Sequence, residues 1–284
     1  MEKRNKKKKI HTPFYFVGLI FILLLDNTST AFAQEASVKM FAHRGGAAEF
    51  DENTLSAFVG AYEKGVRNFE TDIRITKDEH LVLYHDANLE KIGIESSIEE
   101  MTFSEVKALR TEKGNPIPSL EELLAFFNSK PGLSVEFELK TRNPKYDQKL
   151  MEKYVDKVCA KIYENMPATS DYFLTSFDKR ALKYAKQKDP SIPMLLIFNE
   201  GLSHKVLNEA KKLGIDRIGC RIEETTRAMV REAHKQGFKL SLGPTPTIND
   251  FLLGVALGCD YVCPDIPVEI LEWTKSNAPW IKFN

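Results

Sequence analysis

The chain has 284 residues, of which 43 % are hydrophobic and 28 % charged, enough apolar material for a sizeable core. That composition excludes a disordered chain, a collagen-like fibre and a small disulfide scaffold. Basic and acidic residues balance at 40 each, but the first 33 residues hold six basic against two acidic, so the remainder sits at −4 and offers no basic face to nucleic acid.

Taken in chain order, residues 1–33 come first. A Lys-rich start precedes an apolar run from Phe14 to Leu25, and a polar stretch ends in Ala31-Phe32-Ala33. Charged region, short apolar region and A-x-A site together predict a secretory signal peptide. The apolar run is shorter than the roughly 20 residues a membrane span needs. Cleavage after Ala33 leaves Gln34 to Asn284 as one domain, exported and without stable membrane insertion. Its cysteines are Cys159, Cys220, Cys259 and Cys263. Cys259 and Cys263 are about 13 Å apart if extended, too far to bridge. No CxxC pair suggests zinc, so buried free thiols are expected.

Beyond residue 34, short apolar runs alternate with helical patterns. Strand-like runs occupy 39–45, 68–76, 81–85, 133–140, 172–178, 193–198, 217–222, 238–243 and 261–265. Leu55, Phe58, Val59 and Tyr62 mark a helix that Gly65 can end. Ser119-Leu120-Glu121-Glu122 is a capping box. Further helices should stop at Gly214, Gly237 and Gly258. Alternating β and α with Val/Ile/Leu-rich strands predicts a parallel sheet, and about 250 residues is the size of a (β/α)8 TIM-type barrel. Nine strands exceed that barrel by one. Runs 68–76 and 81–85 are too close for a parallel crossover and must form an antiparallel hairpin. The expectation is therefore an α/β barrel with a β-hairpin excursion after the second strand. With residues 77–80 as the turn, Asp72 would face His85.

Barrel chemistry gathers at the C-terminal ends of strands. Those ends carry His43-Arg44-Gly45-Gly46, Glu70-Thr71-Asp72, His85-Asp86 and Glu136-Phe137-Glu138-Leu139-Lys140. Alternation puts Glu70 with Asp72, and Glu136 with Glu138 and Lys140, on common faces. Inward carboxylates at one mouth repel unless a cation sits between them, so Glu70, Asp72 and Glu138 are predicted ligands of a hard divalent ion. Arg44 and Lys140 would hold an anion, and His43 and His85 would serve as acid and base. This combination suits phosphoryl chemistry. Ser176 and Asp178 are candidate pocket polars; His11, His80, His204 and His234 receive no role.

These residues resemble the glycerophosphodiester phosphodiesterase family. His43-Arg44-Gly45, Glu52-Asn53-Thr54, Glu70-Thr71-Asp72, Thr76-Lys77-Asp78, His85-Asp86 and Glu138-Leu139-Lys140 carry the likeness. Pro118 to Glu122, Thr175 to Asp178 and Pro264 to Pro267 extend it. The resemblance implies a TIM-type barrel, a Mg²⁺ or Ca²⁺ cofactor, and hydrolysis of a small phosphodiester to glycerol 3-phosphate and an alcohol. It places the family's metal carboxylates on Glu70, Asp72 and Glu138. Its catalytic histidines fall on His43 and His85, and its phosphate-contacting cations on Arg44 and Lys140. Segment 87–118 matches the family's insertion and is short. Many members carry Trp-Thr-Val-Asn near the end of the seventh barrel strand; here the stretch is Lys239-Leu240-Ser241-Leu242-Gly243-Pro244, without an aromatic. Asp51 stands where many members have Pro, and reads as a harmless helix-cap residue. Two other readings stay open: a lysophospholipase D-like or cyclising phosphodiesterase on a lipid, which Ile92, Ile94 and Ile98 would serve as an apolar mouth, and a non-catalytic binding barrel.

Overall fold

The computed structural model describes residues 35–284, and the predicted signal segment lies outside them. Ala36–Asn284 forms one compact unit. Eight parallel strands close into a barrel: β1 (Ala36–Ala42), β2 (Asn68–Ile75), β4 (Ser134–Leu139), β5 (Asp171–Ser176), β6 (Met194–Gly201), β7 (Arg217–Arg221), β8 (Lys239–Thr245) and β9 (Tyr261–Pro264). Closure comes from β1, which pairs with β2 at Phe41 and Asn68 and with β9 at Lys39 and Tyr261. Between the strands run α1 (Leu55–Glu63), α2 (Phe103–Ala108), α3 (Leu120–Asn128), α4 (Gln148–Glu164), α5 (Lys179–Lys188), α6 (His204–Leu213), α7 (Arg227–Lys235) and α8 (Ile248–Leu257), with α9 (Pro267–Asn277) after the last barrel strand. No helix among the described residues is long and apolar enough to cross a membrane.

The helix punctuation follows the sequence. Thr54 Oγ1 accepts from the Ala57 N–H to cap α1. Ser119 and Glu122 form the reciprocal capping box of α3. Gly214 and Gly258 close α6 and α8 in the left-handed conformation that glycine adopts without Cβ strain.

Strand alternation builds two cores. Met40 and Ala42 face outward into the layer between sheet and helices, whereas Phe41 points into the barrel. Inside, Phe41 meets Phe173 and Tyr261 edge-on at 5.6 and 5.7 Å between ring centres. This aromatic plug, with Leu195 and Cys263, fills the barrel interior, so a ligand can enter from the mouth only. Outside, Phe58 of α1 meets Phe69 of β2 and Phe127 of α3 edge-on, and Phe69 and Phe127 stack at 5.2 Å.

Several expectations change in detail. The first strand ends at Ala42, and residues 43–45 form a 3-10 turn instead of continuing it. A further strand, β10 (Ile281–Phe283), lies parallel to β1 outside the barrel. The hairpin exists, with β3 (Leu81–Leu83) antiparallel to β2, but its register is one residue tighter than predicted. Ile75 pairs with Leu81, and the Thr76 N–H donates to His80 O at 2.8 Å. Glu79 takes φ 69°, which lets a three-residue turn close. Tyr84, not His85, therefore stands opposite Asp72, its N–H donating to Asp72 O at 3.2 Å. His85 falls just beyond the last rung. The excursion after β3 has a small core of its own. Ile98 is fully buried there, and Ile92 and Ile94 pack beside Leu89 and Val106 rather than forming an apolar mouth. Cys159, Cys220, Cys259 and Cys263 are free thiols, Cys159 partly buried and the others buried.

Phe127 makes no polar contact through its side chain and is fully buried among aromatic rings. Phe127→Ala should therefore lower unfolding free energy by about 3–5 kcal/mol through lost burial and a residual cavity. Urea denaturation followed by circular dichroism checks this; a loss below about 1 kcal/mol would contradict the packing.

Candidate active site

The local chain geometry at the end of β1 is unusual. Arg44 has φ 52° and Asn53 has φ 55°, left-handed values that L-residues with a Cβ rarely adopt. Gly45 between them has φ 82°, and a Cβ there would meet Ala57 Cβ at 3.0 Å. Each strained residue gains a specific contact with the carboxylates of β2. The Arg44 N–H donates to Glu70 Oε2 at 2.9 Å, and Asn53 Nδ2 donates to Asp72 Oδ2 at 2.8 Å. Asn53 Oδ1 also accepts from Thr71 Oγ1 at 2.9 Å. Strain of this kind persists where surrounding structure over-determines it.

Six of the seven predicted site residues, His43, Arg44, Glu70, His85, Glu138 and Lys140, line one pocket of about 460 Å³ at the C-terminal mouth. The seventh, Asp72, is 1 % exposed and lies behind them. Strand register explains the meeting of the acids: Asp72 pairs with Glu138 across β2 and β4. Glu70, Asp72 and Glu138 each present a carboxylate oxygen within 4.8 Å of the others. Glu70 Oε1 is buried without a hydrogen-bond partner, and Asp72 Oδ1, also without one, has only the Lys140 ammonium at 3.4 Å. Buried oxygens left unpaired are costly, and converging carboxylates at this spacing fit a hard divalent cation.

The positive groups are interleaved with the acids. Lys140 Nζ lies 2.9 Å from Glu138 Oε1 and 3.4 Å from Asp72 Oδ1. Arg44 pairs with Glu52 at 3.0 Å and with Asp72 at 3.4 Å. Burial opposes ionisation of Asp72, yet Lys140 and Arg44 outweigh it and hold its carboxyl well below the usual range. Glu70 moves the other way. Burial, then the charges of Asp72 and Glu138, push it well above the ordinary value. Burial also pushes Glu138 up to about 7 and Glu136, one layer deeper, up to about 8.

Both histidines are oriented through Nδ1. His43 Nδ1 lies 2.5 Å from Asp265 Oδ1, and His85 Nδ1 lies 2.7 Å from Asp86 Oδ1. A carboxylate at Nδ1 places the ring proton there and leaves Nε2 free for proton exchange, that of His43 lying 4.0 Å from Glu70 Oε2. Burial pushes His85 down, although Asp72 pulls the other way, which favours the neutral imidazole.

Sequence reasoning missed the partners that hold these groups. Asp265 is 222 residues from His43, and nothing local signals that pairing. Asn53 was legible only as part of a motif. Asp51 is not a helix cap: it accepts from Asn115 Nδ2 at 2.8 Å and from Thr111 Oγ1, tethering the excursion to the loop before α1. Neither Ser176 nor Asp178 lines that pocket, though Asp178 lines the larger cavity outside it. Ser176 Oγ donates to Leu139 O, while Asp178 caps α5 and pairs with Arg180. The pocket wall at β5 is made by their neighbours Thr175 and Phe177.

Comparison with known proteins supplies the family. The glycerophosphoryl diester phosphodiesterase family model matches residues 43–266. A glycerophosphodiester phosphodiesterase of Caldanaerobacter subterraneus is 30 % identical over 57 % of this chain and 68 % of its own length. Human lysophospholipase D is 34 % identical over 40 % of each chain. The chain spans about half the length or less of several other curated relatives it matches, 51 % for that of Bacillus altitudinis. Among solved structures, an Oleispira antarctica phosphodiesterase in complex with the product sn-glycerol-3-phosphate superposes with TM-score 0.76 at 21 % identity, covering 84 % of this chain and 96 % of that one. That likeness establishes the barrel. The chain belongs to the glycerophosphoryl diester phosphodiesterase family.

The carboxylate cluster links proton and cation binding to stability. Glu136 and Glu138 keep protons in the folded state that the unfolded chain, with Glu near 4.3, has already released. Where the folded state binds more protons, stability falls as pH rises. Cation-free protein should therefore lose stability between about pH 5 and pH 8. A divalent cation relieves the exposed repulsion, so its stabilisation should be larger at pH 8 than at pH 6. Thermal melts in EDTA and in excess Mg²⁺ or Ca²⁺ at both pH values check this. A Tm gain that is equal at both pH values, or absent, would remove the cation from this cluster.

Proposed function

From that membership we propose that the chain is a metal-dependent phosphodiesterase that hydrolyses glycerophosphodiesters to glycerol 3-phosphate and an alcohol. The observation that carries the reading is the convergence of Glu70, Asp72 and Glu138 beside His43, His85, Arg44 and Lys140 in one pocket. The product complex of the Oleispira phosphodiesterase and the names of the curated relatives support the substrate class. Glu70, Asp72 and Glu138 hold a divalent cation, Mg²⁺ or Ca²⁺. When bound, that cation polarises a phosphoryl oxygen and offsets charge in the transition state.

The chain's own groups do the rest. Arg44 and Lys140 bind the phosphate, Arg44 through its planar fork and Lys140 as a point charge. His85, neutral with its Nδ1 proton directed to Asp86, accepts the proton of the attacking oxygen at Nε2. That oxygen belongs to water, or to the glycerol hydroxyl next to the phosphate, which would close a cyclic phosphate first. As the new P–O bond forms, the P–O bond to the alcohol breaks. His43, held by Asp265, delivers a proton to the departing alkoxide. Asn53, Glu52, Asp86 and Asp265 position these groups without touching substrate. Residues 1–33, with their Lys-rich start and short apolar run, support export of the protein.

Assay of the purified protein on a panel of glycerophosphodiesters, with EDTA controls, tests the reading. Turnover should require a divalent cation; full turnover in EDTA, or none with Mg²⁺ or Ca²⁺ supplied, would sink it. His43→Ala and His85→Ala should each cost roughly 10²–10⁴ in kcat, the usual size of acid–base catalysis. A p-nitrophenyl ester needs little protonation on leaving, so it should rescue His43→Ala far more than His85→Ala. Equal rescue of both variants would contradict the division of roles.

A further inference from the structure

We infer that the pocket selects diesters whose departing alcohol carries a second anionic group, phosphate or carboxylate, held by Arg142 and Arg221. This rests on the phosphodiesterase reading above and adds the class of alcohol. Arg142 lies in the loop after β4, and Arg221 is the last residue of β7. Both line the same pocket as the carboxylate cluster, and both are exposed at its rim. The other cations of that wall are claimed: Arg44 by Glu52 and Asp72, Arg74 by Glu99, and Lys140 by Glu138 and Asp72. Arg142 and Arg221 make no ion pair among the described residues. With Arg44 and Lys140 assigned to the phosphate and Arg74 to Glu99, Arg142 and Arg221 are the lining cations left without an acid partner.

The surplus has one end of the substrate to serve. The glycerol end is uncharged apart from the phosphate, so an added charge can belong only to the alcohol. A cationic alcohol fits poorly. Phe177 is the one phenyl ring of the inner pocket, and in the larger cavity outside it Tyr146 is buried and the Phe198 ring is covered by Lys179 Nζ at 5.4 Å, whereas a quaternary ammonium site uses a cage of several open rings. An adjoining outer cavity of about 840 Å³ shares Arg142, Phe177 and Asn199 with the inner pocket, giving an extended alcohol room to leave. Its acids are engaged: Glu200 by Lys205, Glu209 by Lys179, Asp178 by Arg180, and Asp147 as the cap of α4. The absence of an aromatic at 239–244 leaves Ser241 and Gly243 as small wall residues beside Arg221's strand, so no ring shields that guanidinium from the ligand.

The test compares matched diesters with the intact protein and a saturating divalent cation. Glycerophosphoglycerol is the uncharged-alcohol reference. Its terminal phosphate monoester and glycerophosphoglycerate add a phosphate and a carboxylate respectively, and glycerophosphocholine adds a cation. The kcat/KM of at least one anionic diester should exceed that of glycerophosphoglycerol by tenfold or more, and glycerophosphocholine should be the poorest. The ratio should shrink as salt rises from 50 to 500 mM. In Arg142→Gln/Arg221→Gln it should fall at least tenfold, with partial recovery in Arg142→Lys/Arg221→Lys, which a misfolded pocket would not show. A wild-type ratio at or below one, or a ratio untouched by the double Gln variant, overturns the inference while leaving the phosphodiesterase reading intact. No turnover of any diester overturns both.

Discussion

Three carboxylates forced together out of water govern the architecture of this mouth. Strand register brings Asp72 and Glu138 side by side, and alternation puts Glu70 on the same face. Like charges within 4.8 Å and away from solvent cannot all ionise unaided. The chain answers with fixed donors. The Arg44 backbone reaches Glu70, the Asn53 amide reaches Asp72, and Lys140 lies between Asp72 and Glu138. The left-handed backbone at Arg44 and Asn53 is the local cost of putting those donors there, about 1 kcal/mol or more each. Asp72 is thereby kept ionised, while Glu70 and Glu138 keep an affinity for protons that a cation can displace.

The proposed function gives Lys140 and Arg44 two tasks. Without a cation they neutralise the acids. With one in place that need falls, and their charge becomes available to an incoming phosphate. In that proposal cation binding and anion binding would be coupled through the same two side chains, so each should strengthen the other. The coupling needs no movement of the strands, only a redistribution of charge among groups already in contact.

The sequence disclosed the barrel because its signals are periodic and local. Gly-ended helices, a capping box and eight buried apolar strands each follow from residues close in sequence. The hairpin was legible from an impossible crossover, but its register was not. Whether the turn holds three residues or four depends on Glu79 adopting φ 69°, which a glutamate does not advertise. β10 was missed because Ile281–Phe283 is three residues long and pairs with the far end of the chain. The site residues were legible as motifs at strand ends. Their orienting partners were not, since the pairing of His43 with Asp265 closes the barrel's own circumference and exists only after β1 meets β9.

The excursion after β3 shows why a short segment still matters to the geometry of the mouth. Arg74 and Glu99 form an ion pair at 2.8 Å with both side chains 4 % exposed. Desolvating two such charges nearly cancels their attraction, so the pair adds little net stability. Its geometry does something else. Arg74 Nη2 donates to the backbone carbonyl of His85 at 2.7 Å, and the Tyr146 hydroxyl donates to Glu99 from the loop after β4. His85 lies past the last hairpin rung, where no strand partner fixes it. Arg74 supplies that missing constraint through the backbone, and Asp86 fixes the ring through Nδ1. The excursion, the second barrel strand and the loop after the fourth are thus tied at one histidine. A residue outside the regular sheet is held at both its backbone and its ring, and the imidazole lines the pocket with its Nδ1 toward Asp86.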